Sequence, residues 1–134
     1  MIKKLIWRMA DPPYFKNVPE KAGIYIISTM QKTDGEFEVK YIGQADNLSA
    51  RANEHWSKKE TNTELKNHIA EKYIMKFNYS LVESKSDRDG MVIYACQKYK
   101  PPYNRDLDTD IEVVKCTMPA VRASLSRRSV NEKT

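Results

Sequence analysis

Two tyrosines, an arginine and a histidine carry the chemistry open to this chain. Tyr25 closes the triplet Gly23-Ile24-Tyr25, Tyr41 opens the triplet Tyr41-Ile42-Gly43, and Arg51 and His55 follow, one helical turn apart. This set suits a phosphodiester. A planar guanidinium binds two phosphoryl oxygens at once, where a lysine offers only a point charge. Negative charge builds on those oxygens during attack, and a positioned arginine accelerates phosphoryl transfer by on the order of 10³-fold or more. A tyrosine hydroxyl, with a pKa of about 10, is a poor base at neutral pH. A nearby cation makes it more useful, and Arg51 can supply that field.

The elements around these residues put them on one surface. Ile24–Thr29 is β-branched and aromatic, which predicts a strand. Asp34-Gly35 is a turn signal, because glycine accepts positive φ. In Glu36–Ile42, Phe37, Val39 and Tyr41 alternate with Glu36, Glu38 and Lys40, predicting the second strand of a hairpin with one wet face. Asp46 is the expected N-cap of a helix whose core stripe is Leu48, Ala52 and Trp56, with Arg51 and His55 on a neighbouring face. Asn62-Thr63 caps a second helix reaching about Tyr73, on which His68 is expected at the surface. Met75–Glu83 alternates as a third strand. Ser86 and Asp89 resemble a capping box opening a helix that runs through Met91, Ala95 and Tyr99 until Pro101-Pro102 stops it. Gly90 within it predicts an irregular start.

The flanks are less regular. Pro12-Pro13 and Pro19 exclude one continuous helix over residues 1–22, leaving room for a short strand at Leu5–Arg8, with Trp7, Tyr14 and Phe15 as apolar anchors. Ile111–Met118 is expected as a last strand. The stretch from Arg122 to Thr134, with Arg127, Arg128 and Lys133, is expected as a mobile basic tail able to touch nucleic-acid backbone.

Composition sets the outer limits. The chain has 134 residues, enough for one domain with its own core. Lys and Arg number 23 against 18 Asp and Glu, giving +5 and a pI of about 9.1, which suits an anionic partner. No apolar run approaches membrane-spanning length. Cys96 and Cys116 lack metal-knuckle spacing and are expected as buried free thiols, pointing to a reducing, cytoplasmic compartment.

Taken in order, Gly23-Ile24-Tyr25, Tyr41-Ile42-Gly43, Asp46-Asn47-Leu48, Arg51 and Lys100-Pro101-Pro102-Tyr103-Asn104 resemble the GIY-YIG nuclease family over about residues 18–104. The resemblance implies a small α+β (α/β) domain, a three-stranded antiparallel sheet flanked by helices. Residues 1–17 would form a lead-in and residues 105–134 a C-terminal strand and basic tail. It implies a DNA endonuclease, usually aided by one divalent cation, Mg²⁺ or Mn²⁺, acting on duplex or branched DNA. Tyr25 and Tyr41 would position or activate the attacking water, Arg51 would stabilise the phosphorane, and His55 would be the second helix residue of the site. Asn104 would brace it, and Gly23, Lys40, Gly43 and Gln44 would contact substrate.

One position departs from the family. Its metal-holding glutamate, counted back from Pro101 without gaps, falls on Val92, and a valine cannot ligate a hard cation. Asp89, a turn earlier, is the candidate replacement ligand, with Asp87 just before it; helix capping is the alternative role for Asp89. Three functions therefore stand side by side: a metal-dependent DNA endonuclease, a nuclease-derived module that binds nucleic acid without cutting, and an accessory domain whose basic surface meets a protein. A domain this small reads two half-sites only as a homodimer.

Overall fold

The computed structural model describes residues 1–104 and 110–123. Its elements are β1 (Arg8–Ala10), β2 (Gly23–Met30), β3 (Phe37–Ala45), α1 (Leu48–His55), α2 (Thr63–Ala70), β4 (Met75–Leu81) and α3 (Lys85–Tyr99). The sheet is antiparallel with order β1-β4-β2-β3, four strands rather than three. The added strand comes from the lead-in, slightly later than Leu5–Arg8. Arg8, Met9 and Ala10 pair with Tyr79, Asn78 and Phe77, satisfying backbone groups that a bare β4 edge would expose.

Both faces of the sheet are covered. Tyr25 and Ile27 of β2 and Phe77 and Tyr79 of β4 pack with Phe15, Leu48, Ala52 and Leu65, beneath α1 and α2. Ile26, Val39 and Ile42 pack on the other side against Ala95, Cys96 and Tyr99 of α3, and Ile24 packs against Met91. Phe15 and Trp7 anchor as expected, whereas Tyr14 is exposed. Both cysteines are buried and free, and burial pushes their thiols up, to about 12 for Cys96 and about 11 for Cys116.

A bulge in β3 overturns the expected wet face. Ile27 pairs with Tyr41 but Ser28 pairs with Val39, so Lys40 is an extra residue and the alternation reverses there. Val39 consequently faces α3, while Tyr41 turns to the opposite side and lies near Tyr25. Glu38 and Lys40 are buried rather than wet, paired to each other at 3.4 Å.

Helix starts differ from the simplest reading in two cases. Asn62 caps α2 as expected. The N-cap of α1 is Asn47, whose Oδ1 accepts the Ala50 N–H at 3.0 Å, and not Asp46. Ser84, not Ser86, caps α3 by accepting the Asp87 N–H. Gly90 leaves α3 regular. A side chain there would strike the Glu112 carbonyl and Val114, because the segment 111–118 crosses the helix at that point. That segment is a strap rather than a regular strand; it makes an isolated bridge between Cys116 and Lys3. Arg122, expected at the head of a mobile tail, is anchored: its N–H donates to the Phe37 carbonyl and its guanidinium pairs with Asp34 and Glu38. Arg127, Arg128 and Lys133 lie outside the described residues.

Candidate active site

The site begins with the packing of Tyr25. Its ring stacks on Phe77, with centroids 5.1 Å apart, and its hydroxyl end lies over Gly43, directly across the β2–β3 pairing. A Cβ at Gly43 would stand 2.9 Å from Tyr25 Cε1 and closer still to Cζ and the hydroxyl. Gly23 is filled in the same way by the Ser80 carbonyl and Leu48 Cδ1. The chain's own atoms therefore occupy the space at both glycines, where the sequence suggested an approaching substrate.

From Tyr25 a buried chain of polar groups leads outward. The Tyr25 hydroxyl lies 2.6 Å from His55 Nε2. His55 Nδ1 faces Glu60 Oε2 in direct contact, and both side chains are fully buried. The other oxygen of Glu60 accepts the Asn62 N–H at 2.9 Å, and Oε2 also lies 3.7 Å from Arg51 Nη1. Arg51, partly exposed, pairs with Glu54 as well. Tyr41 completes the cluster, its ring centroid 6.2 Å from Tyr25 and 5.3 Å from His55. His55 thus lies inward with Leu48 and Ala52, whereas Arg51 lies at the boundary with solvent.

Charge states follow from this environment. Burial first, and Tyr41 second, raise the Tyr25 phenol well above its ordinary pKa, outweighing the opposing pull of Arg51. Arg51 does supply the expected lowering field, but at Tyr25 burial outweighs it and the phenol is neutral. Its hydroxyl faces the imidazole of His55. Burial and the Arg51 charge hold that imidazole neutral against the pull of Glu60.

The cluster opens on a cleft of about 350 Å³ lined by Tyr41, Gly43, Gln44, Arg51, Glu60, Val92 and Asn104, among others. Asn104 braces its wall: Oδ1 accepts the Ile42 N–H at 2.8 Å and Nδ2 donates to the Ile42 carbonyl at 2.7 Å. Asn62 adds a tie by donating to the Tyr103 carbonyl. Tyr25, Tyr41, Arg51, His55 and Asn104 are therefore brought together. Lys40 is not in this cleft. The bulge directs it to a second cavity shared with His68, Glu71 and Tyr103.

Gln44 and Asp89 have structural work. Arg88 is almost wholly buried and donates to Gln44 Oε1, Asp46 Oδ1 and the carbonyls of Val82 and Glu83. Gln44 Nε2 donates to Asp89 Oδ1, and Lys85 pairs with the same carboxylate at 2.9 Å. Arg88 thereby ties α3 to the ends of β3 and β4.

The residues present do not fit a protein-held divalent cation. Val92, at the position expected for the ligand, lines the cleft with a hydrocarbon side chain. Asp89 is engaged by Lys85 and Gln44, and it is not the capping partner of Ser86 either. Glu60 Oε1 accepts from Asn62, and Oε2 faces His55 and, at 3.7 Å, Arg51, so it is turned inward rather than toward a cation in the cleft. Among the described residues no group of three or more His, Cys, Asp or Glu gathers for a metal. Hard cations need such oxygen donors.

Sequence reasoning missed three residues. Glu60 sits in an unremarkable charged loop, and Arg88 lies within the charged stretch that opens α3. His68, expected at the surface, is buried; it contacts Thr29 Oγ1 at 2.7 Å and stacks on Tyr73. Comparison with protein-family models, with curated proteins and with solved structures returned no match. Among the described residues no helix is long and apolar enough to cross a membrane.

Proposed function

We propose that this protein is a DNA endonuclease of the GIY-YIG type, hydrolysing a phosphodiester in the cleft beside Arg51. The observation that supports this most is the convergence of Tyr41, Arg51 and Asn104 on one cleft, with the Tyr25–His55 pair directly behind it. These residues come from two strands, a helix and a loop, and packing alone gives no reason for a base, a phenol and a guanidinium to meet there. Arg51 binds two phosphoryl oxygens. A water in line with the phosphorus gives its proton to the Tyr25 oxygen as the phenolic proton passes to His55 Nε2. The new P–O bond forms from that water as the bond to the leaving oxygen breaks, and the leaving oxygen takes a proton from solvent. The net charge of +5 favours DNA as the polyanion engaged.

A second reading rests on Val92 and on the engaged oxygens of Asp89: a module of nuclease ancestry that grips DNA and leaves it intact. Plasmid and branched DNA incubated with Mg²⁺, Mn²⁺ or EDTA separate the two. The endonuclease predicts nicking by wild type and a loss of at least about 10³-fold in Arg51→Ala, with a smaller change in DNA affinity. Tight binding without nicking under every condition selects the second reading. Salt-insensitive association or none at all removes both.

A further inference from the structure

Glu60 lies between the histidine and the arginine of the cleft, and the chemistry above leaves it without a part. It is fully buried although it sits in the loop between α1 and α2. A carboxylate is not buried without partners, and all of its partners belong to the site: Asn62 N–H, His55 Nδ1 and Arg51.

We propose that Glu60 is a positioning residue that makes His55 a base toward Tyr25; this rests on the reading of the cleft as a hydrolytic site. A carboxylate only accepts hydrogen bonds, so the nitrogen facing it must carry hydrogen. Glu60 Oε1 accepts the Asn62 N–H at 2.9 Å, and Arg51 Nη1 lies 3.7 Å from Oε2. His55 is therefore the Nδ1–H tautomer, and Nε2 presents a bare lone pair to the Tyr25 hydroxyl at 2.6 Å. When Nε2 takes the phenolic proton, the imidazolium is buried between Tyr25 and Tyr41 with Arg51 nearby. Glu60 is the anion in direct contact that offsets this charge. The carboxylate behind the histidine of a Ser-His-Asp triad performs the same two tasks, orientation and stabilisation. Here the group ahead of the imidazole is a phenol.

The groups facing His55 are Tyr25 on β2, Tyr41 on β3, Arg51 and Trp56 on and after α1, and Glu60. Arg51 opposes protonation of His55 and Glu60 favours it, so removing the carboxylate makes His55 a weaker base.

The test pairs Glu60→Gln with wild type in two measurements. Imidazole ¹⁵N NMR at neutral pH is expected to show His55 as Nδ1–H in wild type. In Glu60→Gln the tautomers should mix and the onset of protonation should fall to lower pH. Single-turnover cleavage is expected to slow by on the order of 10²-fold with DNA affinity held within about twofold. An Nε2–H tautomer in wild type, or an unchanged tautomer and rate in Glu60→Gln, overturns the inference. If no form of the protein cuts DNA, the endonuclease reading fails, and the NMR measurement still decides whether Glu60 sets the state of His55. Glu60→Asp, which keeps the charge on a shorter arm, should recover part of the rate if it acts on His55 and none if it merely fills space.

Discussion

Replacing Gly43 by alanine tests the packing on which the whole site depends. The added methyl would stand under 3.0 Å from three atoms of the Tyr25 ring end, where ordinary contact begins near 3.4 Å. The ring cannot simply retreat. Phe77 stacks on one side with planes 17° apart, Tyr41 and His55 flank it, and the residue is almost wholly buried. Relief requires either that β3 shift away from β2 or that the phenol leave His55. Overpacking of this kind costs about 1–3 kcal/mol. For a chain of this size that corresponds to a fall in Tm of roughly 4–15 °C. Chemical and thermal unfolding followed by circular dichroism measure the cost. The decisive control is the same substitution in a Tyr25→Leu background, where the shorter side chain frees the space. There Gly43→Ala should cost less than about 0.5 kcal/mol, so the two sites couple strongly. An equal cost in both backgrounds, or no cost in either, would refute the proposed contact. Gly43→Ala should also abolish cleavage, since the Tyr25–His55 hydrogen bond is geometric.

Acid should destabilise the fold through His68. Burial first, and Lys40 second, push its imidazole down to about 4, against Glu71. Its contribution is therefore present above the unfolded pKa of about 6.5 and lost as pH falls from there toward 4, amounting to about 2 kcal/mol between pH 8 and pH 5. Urea melts of wild type and His68→Gln across that range should converge at low pH; parallel curves would refute it. Val92→Glu places a carboxylate in the cleft, and Mn²⁺-dependent nicking should rise at least about tenfold over wild type; an unchanged rate would mean that the position does not govern metal use. Arg88→Ala strips donors from Gln44, Asp46 and two carbonyls, and should cost about 3 kcal/mol in chemical unfolding. A loss below 1 kcal/mol would mean that water replaces the guanidinium without penalty. DNA affinity should fall linearly in logarithmic plots against salt, and Arg51→Ala should reduce that slope by about one.

The sequence by itself determined the antiparallel hairpin, the third strand, the three helices and the identity of five residues that gather at the cleft and directly behind it. These rest on local signals: β-branched runs, a turn glycine, helical spacing and an ordered series of motifs. The tertiary structure decided what local patterns cannot carry. One extra residue at Lys40 reversed the facing of β3 and set Tyr41 near Tyr25, because a bulge is an event of strand pairing and leaves the alternation of residue types intact. The fourth strand formed because β4 had an open edge to satisfy. Gly90 serves the strap that crosses α3, a contact far away in sequence. The protonation of the site was likewise out of reach. Only three-dimensional packing brings Glu60 beneath His55, buries Tyr25 until its proton is held more tightly than usual, and occupies the oxygens of Asp89. Burial and partner geometry set charge states, and neither is a property of a residue and its sequence neighbours.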